Sequence, residues 1–140
     1  MKVAKYILPV VVGAMAGMIL IKFGEDGVGY LYPLPPGSYH DRESLINAIK
    51  QMPDKAFILL LINYMVCSFI AGLVATLVSK RTTMRPPLVV GFVLTLGGLY
   101  NAIYLEHPIW FTILNLVVYM PFAWLGYVTV RKKVAVEQGS

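Results

Sequence analysis

The chain has 140 residues, 58% of them hydrophobic and 14% charged, with a formal net charge of +5 and a mean hydropathy of +0.70. A water-soluble domain of this length leaves too much of its surface wet to hide that apolar fraction, and the apolar residues fall in runs of about 20, the length that spans a bilayer core. The positive charge does not point to nucleic acid, because the basic residues sit at the ends of the apolar runs and form no stripe with exposed aromatics.

In chain order, the first run predicts a membrane span over about 6–23. Pro9 falls in the first turn of this span, where a missing N–H costs little. A signal sequence is the competing reading of the run. It closes on Ile21-Lys22-Phe23-Gly24-Glu25-Asp26 rather than on an A-x-A-like site, which favours a retained span. Gly13 and Gly17 form a GxxxG pair, a surface on which a second copy of the chain or another membrane protein can pack closely.

The stretch 24–55 reads as a cap between the first two spans. A glycine-rich lead is followed by Tyr30–Gly37, whose three prolines predict an extended strap. Asp41 or Ser38 then caps a short amphipathic helix over about 41–52. Leu45, Ile46, Ile49 and Met52 take one face of it, and Arg42, Glu43, Asn47, Lys50 and Gln51 the other. Pro53 ends it.

Three further spans are predicted over about 56–79, 86–105 and 109–130. Glu106-His107-Pro108 makes a tight turn between the last two, and Pro121 is expected to kink the fourth span. The fold class is therefore an all-α membrane protein, one domain built as a four-transmembrane-helix bundle. Its single cysteine, Cys67, lies inside an apolar run and supports no intrachain disulfide and no Cys-based metal or redox motif.

Charge gives the orientation. Lys2, Lys5, Lys80, Arg81, Arg85, Arg131, Lys132 and Lys133 face one side against Glu137 alone. Lys22, Arg42, Lys50 and Lys55 face the other against Glu25, Asp26, Asp41, Glu43, Asp54 and Glu106. The Lys/Arg excess places both termini in the cytoplasm and the cap outside.

Small and polar residues recur at helical spacing on each later span: Asn63, Cys67, Ala71 and Ala75, with Ser68 and Gly72 beside them; then Gly91, Thr95, Gly98 and Ala102, flanked by Asn101; then Thr112, Asn115, Tyr119, Ala123 and Gly126. At 1.5 Å per residue, Asn63, Asn101 and Asn115 all lie about 6–10 Å below the outer ends of their helices. Lys22, Tyr64, Tyr104, Glu106 and His107 lie above them. Two readings of this layer stand side by side. The asparagines are glue between helices, since a buried amide in hydrocarbon must find partners. Alternatively the layer lines an outward-facing pocket for a small molecule, a lipid headgroup or an ion.

His40, Asp41, Glu43, Glu106 and His107 are plausible metal ligands if strap and turn meet, although their spacing matches no metal motif. The plainer reading gives Asp41 to a helix cap and the histidines to the interface. Tyr30, Tyr32, Tyr39, Tyr104 and Trp110 fit an outer aromatic belt. No nucleophile–base pair, glycine-rich phosphate loop or cofactor motif is present.

Several short pieces resemble together a group of small, uncharacterised four-span bacterial membrane proteins. They are Tyr32-Pro33-Leu34-Pro35-Pro36-Gly37, Met52-Pro53-Asp54-Lys55-Ala56-Phe57, Gly97-Gly98-Leu99-Tyr100-Asn101 and His107-Pro108-Ile109-Trp110-Phe111. The resemblance implies a bacterial cytoplasmic membrane and carries no activity. Three functional readings follow from the residues: a non-enzymatic binding or accessory subunit, an oligomeric transporter or channel for small solutes, and a metal-dependent membrane enzyme.

Overall fold

In the computed structural model of the chain the hydrophobic runs become four helices long and apolar enough to cross a membrane, over Lys5–Leu31, Asp54–Ser79, Arg85–Leu105 and Ile109–Val136. The structure describes the backbone of residues 2–80 and 84–139 and the side chains of 5–80 and 84–136. Lys2, Arg81 and Glu137, which entered the charge comparison, lie outside the described side chains. The elements are α1 (Lys2–Leu31), α2 (Arg42–Lys50), α3 (Asp54–Ser79), α4 (Arg85–Leu105) and α5 (Ile109–Gly139). They make an all-helical architecture of the kind found in multi-pass membrane proteins.

The first helix corrects the sequence reading. It does not end at Phe23 but runs unbroken to Leu31, so the glycine-rich lead is helical and Tyr30 belongs to α1 rather than to the strap. Glycine costs about 1 kcal/mol against alanine inside a helix, and Gly24, Gly27 and Gly29 together suggested a loop. Packing outweighs that cost. Val28 is 7% exposed and joins the core, and Gly24 sits where any Cβ would overlap the Asn63 amide of α3. The helix also begins earlier, at Lys2, so Pro9 lies inside it rather than in its first turn. At the other end of the chain, α5 continues well past Val130 and runs through Pro121 without a break.

α3 is the central helix, flanked by α1 and α5, and α4 closes against all three. The close approaches fall at small residues. A Cβ at Gly72 would overlap the Ala123 backbone, and one at Gly126 the Phe69 backbone, so α3 and α5 meet main chain to main chain. Gly91 and Gly98 face Met120 and Tyr119 of α5, and Ser68 is fully buried. A Cβ at Gly13 would stand 2.9 Å from the Ala71 carbonyl oxygen, and one at Gly17 2.9 Å from the Ala71 Cβ. The GxxxG face expected to serve a second copy or a partner is therefore taken up within the chain, because α1 docks on α3 and α4 through it. Around these contacts Ala71, Ala75, Val90 and Ala123 have zero exposure and close the half of the bundle that carries the termini.

The irregular segment is confined to 32–41. Asp41 caps α2 by accepting a hydrogen bond from the Ser44 N–H at 2.7 Å, and those Ser44 hydrogen bonds hold its carboxyl below the usual carboxylate range. Ser38, the other candidate cap, instead donates to the Pro35 carbonyl. Ile46, Ala48 and Ile49 are buried on the inner face of α2. This cap is fastened to the α4–α5 corner. The Arg42 Nε donates to the Tyr104 carbonyl at 2.9 Å while its guanidinium lies 4.9 Å from the Tyr104 ring centre. Lys50 and Glu106 pair at 3.6 Å.

Candidate binding cavity under the cap

Beneath the cap lies a cavity of two adjoining compartments, of about 270 Å³ and about 300 Å³. They share Lys22, Glu25, Tyr64, Asn101 and His107. The upper compartment is roofed by the strap and α2 through Tyr32, Leu34, Tyr39, Leu45, Ile49 and Met52. The lower reaches between α1 and α4, past Met18, Ile21, Leu94, Gly97, Gly98 and Tyr100, to Asn115 and Tyr119 of α5.

The lower compartment opens sideways. α1 touches α4 at Gly17, where a Cβ would meet Leu94 at 3.4 Å, yet at Gly97 an added Cβ would meet nothing within 4 Å. Met18 and Tyr100, 48% and 67% exposed, stand at this mouth, whereas Asn115 and Tyr119, both 2% exposed, form the deep wall. The compartment thus runs from an apolar, exposed slot to a buried polar end.

The three asparagines do not bond to one another. Asn63 donates from Nδ2 to the Ile21 carbonyl of α1 at 3.2 Å and accepts from Cys67 Sγ at 3.3 Å. Asn63 is therefore interhelical glue and does not line the cavity. Asn115 reaches the Gly98 carbonyl at 3.5 Å with Nδ2, and its Oδ1 is buried without a hydrogen-bond partner. Asn101 is exposed and lines both compartments. One layer expected to share one role is divided between packing and cavity wall.

The best-held polar contact in the cavity involves a residue that the sequence reading counted only as a loop charge. Glu25 accepts a hydrogen bond from the Tyr64 hydroxyl at 2.9 Å, tying α1 to α3. Tyr64 is 5% exposed and packs in turn on Phe111 and Tyr119, with ring centres 6.3 and 5.9 Å away. Lys22 turns to Asp26, one helical turn on, with Nζ–Oδ1 at 3.0 Å. The sequence did hold a signal for Glu25. Gly13, Gly17, Gly24 and Val28 continue one face at steps of four and seven, so the periodicity runs past Phe23 and carries Glu25 with it.

The metal cluster, the less favoured reading of these residues, does not assemble: among the described residues no three His, Cys, Asp or Glu side chains converge. His40 is exposed in the strap, Asp41 caps α2, Glu43 points outward and Glu106 pairs with Lys50. His107 packs edge-on to Phe57 and Phe111 at 6.0 and 5.0 Å. Burial lowers its pKa from 6.5 to about 4, so its ring is neutral near pH 7, and its Nδ1 is buried without a partner. Tyr104 stacks on Tyr100 at 5.8 Å under Arg42 and does not line the cavity. Of the aromatic-belt residues, Tyr30, Tyr39, Tyr104 and Trp110 are exposed, while Tyr32 is half-buried in the roof.

Comparison with family models, with curated proteins and with solved structures finds no match for the chain. Its class rests on the fold: four helices of membrane-crossing length with a capped polar cavity at the end away from the termini.

Proposed function

We propose that the protein is a non-enzymatic binding subunit of the bacterial cytoplasmic membrane, multi-pass, with both termini in the cytoplasm and the capped end outside. Its cavity holds a small amphipathic ligand drawn from the surrounding bilayer. The observation that carries this reading is the lower compartment, which joins an apolar side opening between α1 and α4 to a buried polar end at Glu25, Tyr64 and Asn115. Sites for small molecules combine apolar walls with a few placed polar groups, and a slot that faces lipid selects ligands already in the membrane. The cap is fastened over the upper compartment through Arg42 and Lys50.

Binding is favoured over conduction along a single chain because Ala71, Ala75, Val90 and Ala123, all at zero exposure, fill the terminal half with apolar side chains. Gly97 gives the test, since open space at its Cβ position lets a larger side chain enter the slot without displacing the backbone. After detergent exchange, native mass spectrometry of the wild type is expected to show non-covalent amphiphile adducts that Gly97→Leu lacks. Equal adducts on both proteins would rule out the cavity as a ligand site.

A further inference from the structure

The lower compartment contains hydrogen-bond acceptors that the chain itself leaves unanswered. Glu25 lies within the membrane-crossing stretch of α1 and is half-buried. Its carboxylate accepts from Tyr64, and Lys22, the cation one turn away that acts on it through space, is paired directly with Asp26 instead. A half-buried carboxylate ordinarily has a cationic or water-filled counterpart, because apolar surroundings do not solvate it. Asn115 adds a second acceptor. It is 2% exposed and its Nδ2 is directed to the Gly98 carbonyl, which leaves Oδ1 with no donor. His107 Nδ1 is the other buried polar atom of this wall without a partner. Buried acceptors are nearly always satisfied in folded proteins, so an unsatisfied pair lining one cavity marks where a donor is missing.

The missing donor has a definable chemistry. It carries positive charge, to answer Glu25, and N–H groups, to answer Asn115 Oδ1. A bare metal ion is a poor match: the compartment holds about 270 Å³, against about 30 Å³ for the share of one water in the liquid. A quaternary ammonium has no N–H to give. The rings of Tyr64, Tyr100 and Tyr119 line the same space and suit an organic cation. Resting on the reading of this cavity as a ligand site, we propose that its occupant presents a primary ammonium group to the Glu25 carboxylate and the Asn115 side-chain oxygen, with its apolar remainder leaving between α1 and α4. Two sources share that chemistry, an ethanolamine phospholipid and a soluble primary amine. The phospholipid adds tails that the side opening between α1 and α4 admits.

The experiment uses the full chain in nanodiscs of either phosphatidylethanolamine or phosphatidylcholine, lipids that differ only in N-methylation. Adducts are read by native mass spectrometry after detergent exchange. The wild type is expected to retain the ethanolamine lipid about tenfold or more over the choline lipid, the scale of one charge-assisted hydrogen bond. Glu25→Gln keeps an acceptor for Tyr64, so it preserves the fold while removing the charge, and it is expected to abolish the preference. Asn115→Leu is expected to weaken it. In choline-lipid discs, added ethanolamine or phosphoethanolamine that raises the melting temperature of the wild type but not of Glu25→Gln would assign the soluble source. Equal retention of the two lipids with no response to the soluble amines, or a preference that survives Glu25→Gln, would overturn the proposal. Adducts that vanish in Gly97→Leu but ignore the amine refute only the ammonium assignment, whereas adducts indifferent to Gly97→Leu refute the ligand site itself.

Discussion

At the scale of single residues, the contact that matters most is Tyr64 to Glu25. A carboxylate drawn half into the bundle loses water, and the tyrosine hydroxyl is the donor that answers it at 2.9 Å. Removing that donor alone leaves the carboxylate buried and unpaired, a cost of about 1–3 kcal/mol. Removing both partners leaves two apolar groups and costs much less than the two single losses combined. Tyr64→Phe is therefore expected to destabilise the protein by about that amount, with Glu25→Leu/Tyr64→Phe recovering part of it, as measured by reversible unfolding in mixed micelles. Additive losses would show that the two side chains do not act as a pair. The sequence placed Tyr64 in the outer polar layer and counted Glu25 among the acidic residues between spans, but it did not pair them, since a contact 39 residues apart leaves no local pattern.

At the scale of elements, glycines decide where helices touch and where they part, and the same residue type does both. Gly72 and Gly126 allow α3 and α5 to meet backbone to backbone, whereas Gly97 faces open space. Gly72→Ala is expected to destabilise by about 1–3 kcal/mol or more, because the atoms it would strike are main chain and cannot turn aside. Gly97→Ala is expected to stabilise by up to about 1 kcal/mol through helix propensity alone. The comparison is made by thermal melting of the two variants under one condition, and equal effects would contradict the packing described. The small-residue stripes were legible from their spacing of three and four. The length of α1 was not, because three glycines within six residues resemble a loop until Asn63 and the core are present to hold them in a helix.

At the scale of the molecule, the charge asymmetry and the cap belong together. Basic residues gather at the end with the termini, and α2 lies across the other, held by Arg42 to Tyr104 and by Lys50 to Glu106. Cys67 is buried, at 4% exposure, and gives a silent background for cysteine reporters. Tyr39 and Val136, 80% and 72% exposed, stand at opposite ends. With a membrane-impermeant maleimide, Tyr39→Cys is expected to label in spheroplasts and Val136→Cys only after lysis, following the positive-inside rule. The reverse pattern would invert the proposed topology and place the cavity on the cytoplasmic side.

The sequence by itself determined four apolar helices, the amphipathic α2, and the small-residue stripes by which helices recognise each other. Run length, periodicity and capping are local properties, readable within a few turns of chain. Only the tertiary structure decided that α1 extends to Leu31, that the Gly13/Gly17 face is spent inside the chain, and that Asn63 binds helices together while Asn115 walls a cavity. It alone brought Glu25 beside Tyr64. Each of these depends on which helix lies opposite, and the same stripe of small and polar residues serves a neighbouring helix or an empty slot according to how far the bundle has spread at that depth.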